Sequence, residues 1–430
     1  MSDYSGPASS LPPERVKRHF AMSMTSINIG LVVVLFFTAN GAVNRFGAVT
    51  GLVWTAASAL SLFWFLRSPR LMSTLLAQHW AILLLPFFAI LSTAWSEAPA
   101  ETALVGVQML FTTVISLRIV AVLSTRQIMI AMMIALGTAT AASVLNLAVG
   151  FLPPVYEVNG AFLGIFTQKN SLAKAVFWFA FATTAVSLIY RRPSIGILCT
   201  LATFPLTIIA LSRTGQIGYA FILILLVLAA MRQIPIQSRI LLPVLFGLTF
   251  AGLALAYVAT GGALFADFLV LMGKNPTLTG RTVIWGLGLS VWQENILVGI
   301  GLNSFWTSPT YADAVAFISS NVDDGLHGFH NVYVEYLVAV GIIGAGYLAG
   351  LMVQAWVRLL RAYLTTRSLE AAIWLAILTA LMVFGGFEDS FSKPRSAHLM
   401  LAIMAFAKAK RVAGSNAALS NNERSSYFRP

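Results

Sequence analysis

One cysteine, five histidines and fifteen acids are all that this chain of 430 residues carries. Each shortage excludes something. Cys199 stands alone, so neither an intrachain disulfide nor a cysteine metal cluster can form. Charged residues make up only 10% of the chain, against about 25% in a water-soluble domain, which excludes an ordinary cytosolic enzyme. A disordered chain is excluded as well, because disorder needs low hydrophobicity and high charge. What is abundant is apolar: 58% of residues are hydrophobic and the mean hydropathy is +0.83. The formal net charge of +12 would suggest nucleic acid in a soluble protein. In a membrane chain it asks on which side of the bilayer the cations lie.

A spanning helix needs about 17–25 mainly apolar residues. About twelve segments qualify: 23–43, 47–66, 74–94, 102–122, 128–149, 171–190, 194–211, 215–231, 240–259, 332–356, 369–387 and 396–409. The first follows a basic tail like a signal anchor, but without a cleavage site it reads as a span. With the N-terminus inside, 19 of the 27 basic residues fall in inner segments and 11 of the 15 acids in outer ones. That is the bias expected of cytoplasmic loops. The fold class expected is therefore all-α: a polytopic membrane helix bundle of about 12 spans, both termini cytoplasmic, with a large periplasmic loop segment containing an amphipathic helix.

The organisation follows: a basic cytoplasmic tail at 1–22, spans one to nine over 23–259, a large outer loop at 260–331, spans ten to twelve over 332–410, and a disordered cytoplasmic tail at 411–430. Two outer connections are long, 150–170 and 260–331, and long loops in compact structures are usually functional or disordered. The second holds Trp285, Trp292, Phe305, Trp306, Phe317 and Phe329, too much aromatic surface for a linker. Within it, 281–297 has helical apolar spacing, either lying in the outer interface or packed on the spans.

The informative cations are those that break the inside bias. Arg213 sits between two apolar runs in Ser212-Arg213-Thr214, and Arg281 follows Thr279-Gly280 at the start of the 281–297 helix. Either is a snorkelling or surface arginine, or a fixed cation for an anionic headgroup. A helix N-terminus adds free N–H groups at Arg281. Lys169 and Lys393–Arg395 read more simply as loop charges. Of the histidines, His19, His79 and His398 read as tail or structural residues. His327 and His330 lie in Asp323-Asp324-Gly325-Leu326-His327-Gly328-Phe329-His330-Asn331, entering the tenth span from outside. That spacing is a poor metal template and a better general base, since histidine titrates near neutrality.

His330-Asn331, followed nine residues later by Gly341-Ile342-Ile343-Gly344, resembles the signature of the O-antigen ligase and polysaccharide polymerase family. Ser212-Arg213-Thr214, Leu278-Thr279-Gly280-Arg281-Thr282-Val283-Ile284-Trp285 and Gly299-Ile300-Gly301-Leu302-Asn303-Ser304-Phe305 are similar to further motifs of that family. Phe166-Thr167-Gln168-Lys169-Asn170 resembles a motif of its exopolysaccharide polymerases, less specifically. The likeness covers about residues 160–350; the first five spans match only in being apolar.

The resemblance implies a glycosyltransferase of the bacterial inner membrane with its active site facing the periplasm, needing no cofactor and no metal. Its partners would be an undecaprenyl-pyrophosphate-linked glycan donor, a lipid-linked saccharide acceptor, membrane lipid and other polysaccharide-assembly proteins, with no nucleic acid. His330 would activate the acceptor hydroxyl, and Arg213 and Arg281 would neutralise the leaving pyrophosphate. Asn331, Lys169, Asn170, Thr282, Trp285 and His327 complete the expected substrate-binding set. Asp323, Asp324 and Glu335 are the acids open as a partner that orients His330. Fixed cations suit this chemistry, because breaking a sugar–pyrophosphate bond develops charge on phosphate. The rival classes are a lipid-linked sugar transporter and a membrane scaffold. A transporter would place ionisable residues at mid-membrane and show internal repeats. The apolar spans carry no such acid relay. Within the family, polymerase and ligase to lipid A-core share the donor site, and the Lys169-Asn170 segment tilts the reading towards polymerase.

Overall fold

The computed structural model describes residues 13–42, 44–233, 255, 259–260, 281–321, 328–389 and 391–411. Most of the expected ninth span, the stretch 261–280, the run Asp323 to His327 and the tail from 412 lie outside the described residues. Among those described, the chain is helical, with one isolated β-bridge between Tyr156 and Phe162. The helices are α1 (Pro13–Ala39), α2 (Ala48–Arg67), α3 (Pro69–Gln78), α4 (Trp80–Leu91), α5 (Pro99–Val122), α6 (Thr125–Val149), α7 (Lys169–Ile189), α8 (Pro193–Ile209), α9 (Arg213–Met231), α10 (Arg281–Glu294), α11 (Ser304–Thr307), α12 (Ala312–Asn321), α13 (Val332–Thr366) and α14 (Leu369–Phe384), then α15 over 397–411.

Their ends follow local chemistry. Proline opens α3, α5 and α8, where its missing N–H is harmless. Ser124 with Gln127 forms a capping box on α6, and Ser212, Asn331 and Ser368 cap α9, α13 and α14. Each cap satisfies N–H groups that a helix in lipid has no water to satisfy.

Six of these helices (α2, α5, α6, α7, α9 and α13) are long and apolar enough to cross a membrane. A seventh is counted if α3 and α4 form one span, but the two are bent by 88°. The segment expected to span at 74–94 is therefore not one straight helix: its first turn belongs to α3, and the chain turns at His79. α1 from Ser26, α8 and α14 are apolar but shorter. Within the bundle α7 is central, with 72% of its apolar window buried against 17% for peripheral α2. Trp178 on α7 packs on Phe177, Phe181 and His398, and its indole donates to His398 Nε2 at 2.9 Å. His398 is thereby a structural residue.

Contacts between helix ends sort into two groups. At one end Lys408 pairs with Glu370 at 3.0 Å, Arg232 donates to the Arg367 carbonyl at 2.5 Å, and Arg118 lies over Trp64. At the other, Arg45 grips the carbonyls of Leu152, Pro154 and Phe166, and Lys169 pairs with Glu157 at 2.9 Å. Two cations of the second end are therefore spent holding the 150–168 connection.

The feature that organises this second end is a break in α13. Gly341 has φ +62° and ψ −170°, outside the helical region. The break frees the carbonyls of Val338 and Ala339 and the N–H groups of Ile342 and Ile343. The glycine-rich stretch fills all four places: Ile300 and Gly301 donate to Val338 and Ala339 at 3.0 and 2.9 Å, while Ile342 and Ile343 donate to Ile296 and Leu297 at 2.8 and 3.2 Å. A Cβ at Gly341 would overlap the Leu297–Val298 backbone, and its φ is one that L-residues avoid. The short first part of α13, which leads from His330, is thereby locked to the loop carrying α10.

Gly341→Ala should destabilise the protein by about 2–4 kcal/mol, since strain and backbone overlap act together. Thermal unfolding of the purified variant in detergent checks this; an unchanged midpoint would contradict the interlock.

Candidate functional site

The site is built where α13 begins. Asn331 Oδ1 accepts from the N–H groups of Tyr333 and Val334 at 2.9 and 3.2 Å, starting the helix. The residue before it, His330, is held at φ +48°, a left-handed conformation that costs a non-glycine residue about 1–2 kcal/mol. The end of α14 is stitched to this point. Val332 N–H donates to the Gly385 carbonyl at 2.7 Å, and Tyr333 Oη donates to the Met382 carbonyl at 2.6 Å. The chain leaving α14 therefore passes beside His330, and its acids Glu388 and Asp389 come with it. Ligand atoms of His330, Glu388 and Asp389 all lie within 4.8 Å of one another. Gly328 allows this approach, because a Cβ there would overlap the Asp389 carboxylate.

Both acids are 3% exposed, and buried carboxylates need partners. Lys174, on the second turn of α7, reaches Glu388 Oε2 at 3.0 Å; Lys393 reaches Asp389 Oδ2 at 2.9 Å. Among the described residues, Glu388 Oε1 and His330 Nδ1 have no hydrogen-bond partner. Burial works to raise the Asp389 carboxyl, but Lys393, His330 and Lys174 together hold it below the usual carboxylate range. Burial lowers the His330 pKa. Asp389 and Glu388 oppose that shift, Arg281 and Lys393 add to it, and the imidazole ends below its ordinary 6.5. A neutral imidazole beside two carboxylates is the protonation state a base needs.

Arg281 opens α10, whose Ile284 is fully buried and whose Gly288 faces Phe329 and Val334. The helix is thus packed on α13. Its first residue is close enough for its charge to act on His330. Arg213 opens α9 and is exposed, its guanidinium donating to Gln216 at 2.8 Å. Ser212, before it, donates to Asn170 at 2.9 Å. Asn170 and Lys174 are one turn apart on α7, so this helix joins the start of α9 to the acid pair. His330, Arg281, Lys174, Glu388, Asp389 and Lys393 form one cluster, with Arg213 and Asn170 on adjoining helix starts. Lys169 is engaged by Glu157, and His327 lies outside the described residues.

Of the acids open as partners for His330, Asp323 and Asp324 lie outside the described residues, and Glu335 bonds instead to Phe329 N–H and Trp306. Glu388 and Asp389, read in sequence only as outer acids, are the pair beside the histidine. The signal was there in Glu388-Asp389 followed by Lys393, an ion-pair spacing just after an apolar run. Lys174 carried no such mark.

His330, Glu388 and Asp389 are also the one grouping of three potential metal ligands among the described residues. A divalent ion there would compete with Lys174 and Lys393 for the carboxylates and stand near Arg281. The donor set therefore fits lysines better than a metal.

Residues 198–349 match the family model for O-antigen ligase. The matched stretch, about a third of the chain, spans Arg213, Arg281, His330 and Gly341, so the part of this multi-helix membrane protein that carries them is similar to that domain. Over 336 residues it is 28% identical to Exopolysaccharide production protein ExoQ of Rhizobium meliloti (strain 1021), covering 74% of each chain.

Two outcomes follow from the geometry. Asn331→Ala should cost about 1 kcal/mol of stability and Asn331→Asp almost none, because aspartate keeps the cap; equal losses in thermal unfolding would contradict the capping role. Lys393→Met removes a cation that depresses His330. The histidine pKa then rises, protonation sets in at higher pH, and the acid limb of the transfer rate moves up. A limb that stays or moves down would count against His330 as the titrating group.

Proposed function

We propose that this protein is a polysaccharide polymerase of the bacterial inner membrane, transferring a glycan from an undecaprenyl-pyrophosphate donor to a hydroxyl of a lipid-linked sugar on the periplasmic face. The observation that carries the reading is the cluster at the start of α13: a half-buried histidine beside two buried carboxylates, with an arginine whose charge acts on it. His330 takes the proton of the acceptor hydroxyl. The oxygen lone pair forms the new bond to the anomeric carbon, and the sugar–oxygen bond to pyrophosphate breaks with its electron pair leaving on phosphate. Arg281 meets that charge at a helix N-terminus. Arg213, exposed on the adjoining helix start, holds the same group before and after transfer. Glu388 and Asp389 stabilise the imidazolium, as a carboxylate does in an acid–base pair.

Lysines hold both carboxylates, and this supports chemistry without a metal. The alternative within the family is a ligase that moves a finished chain onto a separate acceptor. The likeness to an exopolysaccharide production protein favours the polymerase.

Purified protein given one lipid-linked repeat unit should build a ladder of lengthening products, with or without chelator. A single added chain on a separate lipid A-core acceptor would make it a ligase. Translocated substrate without product would make it a transporter, and loss of activity to chelator would place a metal at His330. Arg281→Ala should lower kcat by about 10²- to 10³-fold, the usual loss when a donor to developing charge is removed, with expression and insertion intact.

A further inference from the structure

Phe329, immediately before His330, is gripped by both of its backbone polar groups. Its N–H donates to Glu335 Oε2 at 3.1 Å, and its carbonyl accepts from Trp285 Nε1 at 2.8 Å. The other Glu335 oxygen, Oε1, accepts from Trp306 Nε1 at 3.2 Å. Glu335 is 7% exposed and the Phe329 ring is fully buried, packed on Phe305 and Trp306. Neither Glu335 nor Trp285 makes a hydrogen bond to the His330 side chain; both act on the peptide in front of it. Three otherwise separate pieces meet there: α10, which begins with Arg281 one turn before Trp285; α11, which carries Trp306; and the first turns of α13.

Such a grip has a use. His330 occupies a left-handed conformation, which persists only where surrounding contacts over-determine it. The preceding peptide is fixed at both ends of its hydrogen-bonding capacity, and the following one is fixed by the Asn331 cap. Since Trp285 belongs to the Arg281 helix, the same clamp sets the distance between arginine and imidazole. We propose that Glu335 and Trp285 are positioning residues: together they clamp Phe329 so that His330 faces the Glu388–Asp389 pair in register with Arg281. This rests on the proposed transfer reaction for its kinetic consequence, while the clamp itself is measurable without it.

The carboxylate is chemically required, because both of its oxygens accept. In Glu335→Gln the amide keeps one acceptor, and its NH2 group meets an N–H donor, from either Trp306 or Phe329. Replacing Trp306 by Phe as well removes one donor and leaves the glutamine oxygen free for Phe329. The experiment compares wild type, Glu335→Gln, Glu335→Gln/Trp306→Phe, Trp285→Phe and His330→Ala as full-length protein in detergent. It measures transfer kinetics, hydrogen exchange over 328–333, and thermal unfolding as a control. Glu335→Gln should lose about 10²-fold in kcat with little change in KM, the scale for a reacting group displaced by about an ångström. Exchange at the Phe329 amide should quicken with the unfolding midpoint nearly kept. The double variant should recover most of both, and Trp285→Phe should again lower kcat rather than raise KM.

Unchanged exchange and unchanged kcat in Glu335→Gln would overturn the clamp. So would a double variant no better than the single, or a Trp285→Phe defect confined to KM, which would make the indole a substrate contact. If instead His330→Ala retains full transfer, the base assignment fails, while the exchange data still decide whether the clamp exists.

Discussion

Everything at the end of the bundle that holds His330 hangs on the four backbone hydrogen bonds that fill the break in α13. A helix in lipid must satisfy its own polar groups, so interrupting one at Gly341 is tolerable only if another segment supplies matching donors and acceptors. The stretch from Ile296 to Gly301 does so in both directions. The exchange fixes the loop that carries α10 to the bundle through main chain, leaving side chains free for chemistry. It also explains a spacing that motif reading can only register: the paired glycines around 299–301 and 341 are two halves of one joint.

From that joint the site assembles in order. The nine-residue piece of α13 before the break points its N-terminus at the end of α14, which brings in Glu388 and Asp389. α10 lies against the same piece and places Arg281. α7, the central helix, ties the acid pair through Lys174 and the start of α9 through Asn170. Two buried carboxylates would be costly alone, and pairing with Lys174 and Lys393 offsets that cost beside His330. The site is therefore shared between the matched family stretch and a segment beyond it, since residues 388 to 393 and Lys174 lie outside 198–349.

Much of this was legible in the chain. Apolar run length marks helix after helix, and the sequence-based intervals overlap a helix wherever they fall on described residues. The 88° turn at His79 was hidden, because hydropathy measures composition along a window and is blind to direction. His330, Arg281 and Arg213 stand out as polar groups where polar groups are scarce. Glu388, Asp389 and Lys174 do not, since their meaning depends on three helix ends meeting, more than 200 residues apart in the chain for the Lys174–Glu388 pair. Asn331 illustrates a different limit: beside a histidine it reads as a substrate contact, and only the folded chain shows that its oxygen also caps a helix. Local motif grammar cannot separate a residue that touches sugar from one that aims its neighbour.

The central claim is that His330 takes the acceptor proton. Its most direct test is the initial rate of glycosyl transfer by His330→Ala in detergent, with lipid-linked substrate saturating and the unfolding midpoint matched to wild type. The expected loss is at least about 10²-fold, the lower range for removing a general base. A rate equal to wild type would contradict it.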